Sequence, residues 1–207
     1  MKLKYTEVII NKRDKSGDNM TYETTSQNTK KMIEKKFKEL VSEKPFSKVT
    51  ISEIIKECNI NRKTFYYHFE DIYALLKWTL QQEAISVVNN FNLLTEFEEA
   101  IYFILSYIEK NNAFLKNIYC SVGRDELKKF LYNDFINIVS NTFEIKSENN
   151  KNTVPIDFKE FFINFYTEAI ASTLIDYINR YPDINKEKTV KYICVIINNT
   201  ELKYDFN

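Results

Sequence analysis

The apolar positions of this chain fall at helical spacing in one segment after another. Between residues 28 and 43, Met32, Ile33, Phe37, Leu40 and Val41 line one face of a helix. Lysines 30, 31, 35, 36 and 38 occupy the other faces. Pro45 ends this segment, because proline excludes the residue before it from the α region. A second helix is predicted from Thr50, where Thr50-Ile51-Ser52-Glu53 has the form of a capping box, and it buries Ile51, Ile54, Ile55 and Cys58. Asn59 is suited to a left-handed helix end, and Asn61 to capping a short third helix that runs through His68. Beyond residue 70 the pattern predicts long aromatic helices at about 71–91, 95–110, 112–122, 125–146, 157–181 and 185–203. Asp71, Thr95, Asn112 and Asp125 read as starts, Gly123 as a stop, and 146–155 as a polar loop.

Composition narrows the fold class. Only 2 glycines and 3 prolines punctuate 207 residues, too few for the turns and phosphate loops of sandwiches, barrels or nucleotide-binding α/β folds. The expectation is an all-α chain of about nine helices in three parts: a flexible N-terminal extension at 1–25, a small helical module at 26–78 and a helical bundle at 79–207. In the extension Gly17-Asp18-Asn19 reads as a turn, and Met20 is an alternative start. No apolar run reaches the roughly 20 residues that span a bilayer, and the N-terminus lacks a signal-peptide pattern, so a cytoplasmic protein without membrane association is expected. Cys58, Cys120 and Cys194 are dispersed and suit reduced thiols packed as small hydrophobes. With 1 histidine and no Cys-x-x-Cys spacing, neither a metal nor a cofactor is expected. Net charge is zero, but it is unevenly spread: residues 26–78 balance at +4 and residues 79–207 at −5. A basic module on an acidic body turns one face toward a polyanion.

The chemistry concentrates between Val49 and Phe69. Two short helices meet at a tight turn, with Ile60 plugging the turn into the core and Phe65 and Phe69, four apart, facing inward. Arg62, Lys63, Thr64, Tyr66, Tyr67 and His68 are left around the outer face. A helix entering the major groove of DNA needs such a set: long donors for guanine edges and phosphates, and short groups that allow close approach. Thr50 at a helix start and the tyrosine hydroxyls suit phosphate contacts that fix register.

At these residues the chain resembles the TetR family of transcriptional regulators. That family's DNA-binding module ends in Thr-hydrophobic-Tyr-x-His-Phe, present here as Thr64-Phe65-Tyr66-Tyr67-His68-Phe69. By motif position the resemblance assigns DNA contacts to Thr50, Arg62, Lys63, Thr64, Tyr66, Tyr67 and His68. Two positions depart from the family pattern. Asn59 stands where glycine is usual, and Ile72 where a lysine commonly meets a phosphate. Tyr73 or the helix start offers a substitute, while Glu70 and Asp71 would repel a nearby backbone.

For residues 79–207 the resemblance implies a domain that binds a small-molecule effector and forms a homodimer, so that two recognition helices read a palindromic double-stranded operator. The aromatic, Asn-rich C-terminal half is similar to regulators that include an activator of dihydroxyacetone metabolism. The candidate effector pocket is Phe103, Tyr107, Phe114, Phe162 and Tyr166. The candidate dimer face is Phe161, Phe165, Ala169, Tyr192 and Ile196, with Thr173, Ile175, Ile178, Ile193 and Val195 at neighbouring apolar positions and Ala171 and Ser172 allowing close approach. Effector binding is expected to move the helix at 71–91. The first reading is a repressor released by its effector; the second is an activator controlled by a protein co-activator or ligand. A helical interaction module without DNA binding is the rival of another class. Catalysis is not expected, since neither a nucleophile elbow, a Gly-rich phosphate loop nor a zinc-protease motif occurs.

Overall fold

The computed structural model describes residues 17–91, 96–149 and 155–198. Among these residues the chain is all-α. Nine α-helices run in order: α1 (Gly17–Glu43), α2 (Ile51–Cys58), α3 (Arg62–His68), α4 (Ile72–Asn90), α5 (Phe97–Lys110), α6 (Asn112–Val122), α7 (Arg124–Asn149), α8 (Ile156–Arg180) and α9 (Lys186–Asn198). A short 3-10 turn, Phe46–Lys48, links α1 to α2.

The elements match the hydrophobic pattern closely, with one large difference. The first described helix already includes Gly17, so residues 17–25, expected to extend from the fold, belong to α1. Periodicity detects a helix only where one face is buried, and Gly17 to Asn28 offers almost no apolar residues to reveal it. Gly17-Asp18-Asn19 is part of the helix instead of a turn. Residues 1–16, the expected start at Thr95 and the end of the last helix beyond 198 lie outside the described residues. Of the expected loop at 146–155, residues 146–149 belong to α7 and 150–154 lie outside the described residues.

Helices α7 and α8 form the long antiparallel pair of the body. Three side-chain links mark its register: Lys128 to Glu168 at 2.9 Å, Tyr132 to Asn164 at 2.9 Å, and Lys159 to Glu144. Helix α5 packs on α9, while α6 lies between α1 and the 3-10 turn on one side and α7 and α8 on the other. One contiguous cluster of buried residues runs from Ile33 in α1 to Cys194 in α9. A smaller one, Val139, Phe143 and Ile163, sits between α7 and α8.

A polar clasp closes the body across three helices. The Lys186 ammonium donates to Glu109 at 2.7 Å and Tyr177 donates to the other oxygen of that carboxylate at 2.8 Å. Burial pushes the Glu109 carboxyl up, but both hydrogen bonds and the Lys186 charge outweigh it and hold the group below its ordinary value. The cysteines divide as their surroundings dictate: Cys58 and Cys194 are buried as expected, whereas Cys120 is exposed.

Candidate nucleic-acid interface

Helix α2 is fixed before it touches anything else. The Glu53 amide donates to the Thr50 hydroxyl at 3.3 Å, and the Thr50 amide donates to the Glu53 carboxylate at 2.9 Å, which completes the capping box. Lys44 donates to the other Glu53 oxygen at 2.5 Å. The hydrogen bond from Lys44, followed by those from Thr50, lowers the Glu53 pKa to about 2. At the far end Asn59 takes φ 49° and ψ 44°, the left-handed conformation that turns the chain into α3. Asparagine tolerates this conformation because its short polar side chain bonds locally, so the missing glycine costs the turn little.

Helix α3 is held from beneath and presented outward. Asn61 accepts from the Thr64 amide at 2.8 Å and starts the helix. Phe65 and Phe69 are buried, with ring centroids 6.0 Å apart, and Phe69 meets Trp78 of α4 edge-on at 5.7 Å. These anchors leave Arg62, Lys63, Tyr66 and Tyr67 exposed, Tyr67 at 62%, and Thr64 and His68 half-buried. Arg62 donates to the Tyr66 hydroxyl at 3.2 Å and lies 5.4 Å from the centre of its ring, so the two side chains form one pre-ordered unit. His68 rests edge-on to Tyr67 at 5.0 Å. Burial, and then the charge of Lys30, push the His68 imidazole below its ordinary pKa, which keeps it neutral near neutral pH. Thr50 is exposed at the start of α2, but its hydroxyl already donates to Glu53 at 3.0 Å, so its evident work is capping.

The departures beyond the motif have structural explanations. Ile72 packs against the core. Asp71 accepts from the Ala74 amide at 2.7 Å and caps α4, which turns an acidic residue beside the interface into a helix start. Tyr73 is half exposed and leans edge-on against Phe46 at 5.3 Å.

The other predicted side chains fall in separate places. Phe103 lines an open cleft of about 470 Å³ with Phe91, Glu98, Glu99, Tyr102 and Ser106. Tyr107 receives a hydrogen bond from Lys38 at 2.9 Å, and Phe114 is buried edge-on to Phe37 at 6.0 Å, in the seam between α1 and the body. Phe162 and Tyr166 pack together at 4.4 Å beside Phe143, far along the α7–α8 pair. The five pocket candidates therefore do not converge on one cavity. The five dimer candidates are all exposed, three on α8 and two on α9. Phe161, Phe165 and Ala169 follow one another along an exposed stripe of α8, and Tyr192, Val195 and Ile196 are exposed on α9. Ala171, Ile175 and Ile178, expected near that stripe, face the other way and are buried in the chain's own core.

Residue spacing carried no sign of the link between the first three helices and the body. Asn117 of α6 donates to the Val41 carbonyl at 2.8 Å, and Ser121 accepts from the Ser47 amide at 3.2 Å. Polar residues on a mid-chain helix carry no spacing signal for such a contact.

Comparison with known proteins decides the family. The model for bacterial regulatory proteins of the tetR family matches residues 38–77, and a transcriptional regulator C-terminal region matches residues 95–199, half of the chain. The chain belongs to the tetR family of transcriptional regulators. Among tetR-family and related proteins it is 26% identical over 91 residues to the HTH-type dhaKLM operon transcriptional activator DhaS of Lactococcus lactis subsp. lactis strain IL1403, covering 44% of this chain and 49% of that one. It is 29% identical over 87 residues to the uncharacterized HTH-type transcriptional regulator YxbF of Bacillus subtilis strain 168, covering 38% and 23%. The match thus spans about half the length of the first curated relative and about a quarter of the second. A solved structure of the dihydroxyacetone kinase operon activator DhaS shares the fold with a TM-score of 0.64 at 21% identity, over 82% of this chain and 94% of that one. A TetR transcriptional regulator from Streptococcus agalactiae 2603V does so at 0.52 and 24% identity, over 86% and 98%.

Proposed function

We propose that this tetR-family regulator binds a palindromic operator in double-stranded DNA as a homodimer, with α3 of each protomer in the major groove. The observation that carries the reading is the outer face of α3. Arg62, Lys63, Tyr66 and Tyr67 project from a helix that Phe65, Phe69 and the Asn61 cap hold rigid, so little ordering remains to be done on binding. Arg62 and Lys63 are the donors for base edges and phosphates, and Tyr66 and Tyr67 set register on the backbone, while the Thr50 and Thr64 hydroxyls stay with the caps at Glu53 and Asn61. His68, kept neutral, supports Tyr67.

The two-fold axis is proposed to run through α8 and α9, where Phe161, Phe165, Ala169, Tyr192 and Ile196 are exposed. In this reading residues 26–78 are the DNA-binding unit and 79–207 the effector-binding and dimerisation unit, acting in the cytoplasm on the chromosome. An effector seated at the cleft around Phe103 would shift α4 and change the spacing of the recognition helices, provided it binds the two spacings unequally. Repression relieved by such an effector is the first reading of the sign. Activation is the second, and the likeness in sequence and fold to an operon activator favours it.

Selection from a random-sequence duplex library tests the proposal. The expected result is enrichment of an inverted repeat with half-sites about one helical turn apart. The joint Arg62→Ala and Tyr66→Ala variant should lose binding to the enriched duplex while its sedimentation is unchanged. Failure to enrich any sequence, or full retention of binding by the variant, would refute the placement of α3.

A further inference from the structure

The early start of α1 places three hydroxyl-bearing residues beside the recognition helix. Thr25, Ser26 and Thr29 stand at i, i+1 and i+4, on one face of α1. That face forms one side of an open groove of about 310 Å³, and Asn61 with Lys63, Thr64, Tyr67 and His68 of α3 forms the other. The groove is therefore continuous with the DNA-facing surface, because Lys63, Thr64 and Tyr67 belong to both. A duplex docked on α3 lies across it.

The chemistry of the lining selects the occupant. The α1 side supplies hydroxyls; the other side supplies the Asn61 carboxamide, an ammonium, a hydroxyl, a phenol and an imidazole; none of the lining residues is acidic. Hydroxyl and amine donors of this kind in an open groove suit a phosphodiester oxygen, and the one amide in the lining, Asn61, already accepts from the Thr64 amide and hydroxyl through its oxygen. Lys30, one turn beyond Ser26, sits 5.9 Å from the ring centres of both Phe69 and Trp78, which adds fixed positive charge next to the groove. The Thr29 hydroxyl donates to the Thr25 carbonyl at 2.9 Å, so its proton is held within α1 and the α1 hydroxyls assigned to a phosphate are those of Thr25 and Ser26.

We infer that α1 is a second DNA-contacting element, and that Thr25 and Ser26 with Lys63 and Tyr67 clamp a backbone phosphate flanking the bases read by α3, with Thr29 beside them on the same face. The inference rests on the major-groove placement of α3 proposed above and extends the interface to a helix outside the helix-turn-helix motif.

The probe is the duplex enriched by the wild-type chain from the random-sequence library. Replacing Thr25, Ser26 and Thr29 together by alanine, the best helix former, leaves α1 intact and should weaken binding about tenfold, the equivalent of one or two lost hydrogen bonds. Ser26→Glu should weaken it further, because a carboxylate would then face the phosphate. In the wild type, a neutral methylphosphonate at one flanking position should reproduce much of the loss, and in the triple-alanine variant the same substitution should have no further effect. Circular dichroism confirms that both variants are folded. If both bind within twofold of wild type while Arg62→Ala abolishes binding, the role of α1 is overturned and the placement of α3 stands. If Arg62→Ala also binds normally, the underlying placement falls with it. If every methylphosphonate acts equally on wild type and triple variant, the contact is not made by these residues and the inference fails.

Discussion

At the scale of single residues, the sequence is most legible where the backbone itself needs a side chain. Thr50, Asn59 and Asn61 could be placed from residue type and spacing alone, because capping and the left-handed turn are local demands met within three residues. Replacing Thr50 or Asn61 by alanine should each cost about 1 kcal/mol of stability, read as a lower urea midpoint with an unchanged slope. Glu53 makes a pH prediction. Its carboxyl titrates at about 2 in the fold against 4.5 for the free group, so the stability it adds is complete above 4.5 and is lost as pH falls from there toward 2. Glu53→Gln should be less stable than wild type at neutral pH and should converge with it across that acid window. Parallel curves for the two proteins would show that Lys44 and Thr50 do not stabilise the ionised carboxylate. The reverse case is Thr50 itself: its resemblance to a phosphate contact was visible, but the hydrogen bond that occupies its hydroxyl was not.

At the scale of elements, helices with a buried face were readable and their polar ends were not. The boundaries of α4, α6 and α8 follow from apolar periodicity to within a residue or two, whereas the first turns of α1 have no apolar face and were read as an extension. Contacts between elements were harder still. Asn117 reaches from α6 to the Val41 carbonyl at the end of α1, and with Phe37 against Phe114 it joins the DNA-facing module to the body. Asn117→Ala should cost on the order of 1 kcal/mol and speed amide exchange around residues 41–48, since the last turn of α1 loses its tie. Unchanged exchange there would mean that the aromatic seam alone holds the module. Phe114, expected in a pocket, is one half of that seam. Aromatic density told that the region was packed, but not which rings would meet each other and which would border a cavity.

At the scale of the whole molecule, the apolar stripe of α8 and α9 is the feature that calls for a second copy. Phe161 at 65% exposure, Phe165 at 57% and Tyr192 at 60% leave large apolar side chains in water. Phe165→Lys should shift the chain to a monomer in sedimentation and weaken operator binding steeply, because each half-site would then bind alone; a dimer of wild-type affinity would move the interface elsewhere. The stripe was readable as a set of apolar positions at helical spacing, although the core-facing residues Ile175 and Ile178 share the same helix and chemistry and only packing separates them. The uneven charge also belongs at this scale, with a basic module carried on an acidic body. The most direct test of the account is the salt dependence of binding to the selected duplex, measured for wild type and for Arg62→Ala with Lys63→Ala. The account predicts a steep fall of affinity with salt for the wild type, and a slope lower by about 1 for each phosphate contact the variant loses, alongside weaker binding. Equal slopes and equal affinities for the two proteins would contradict it.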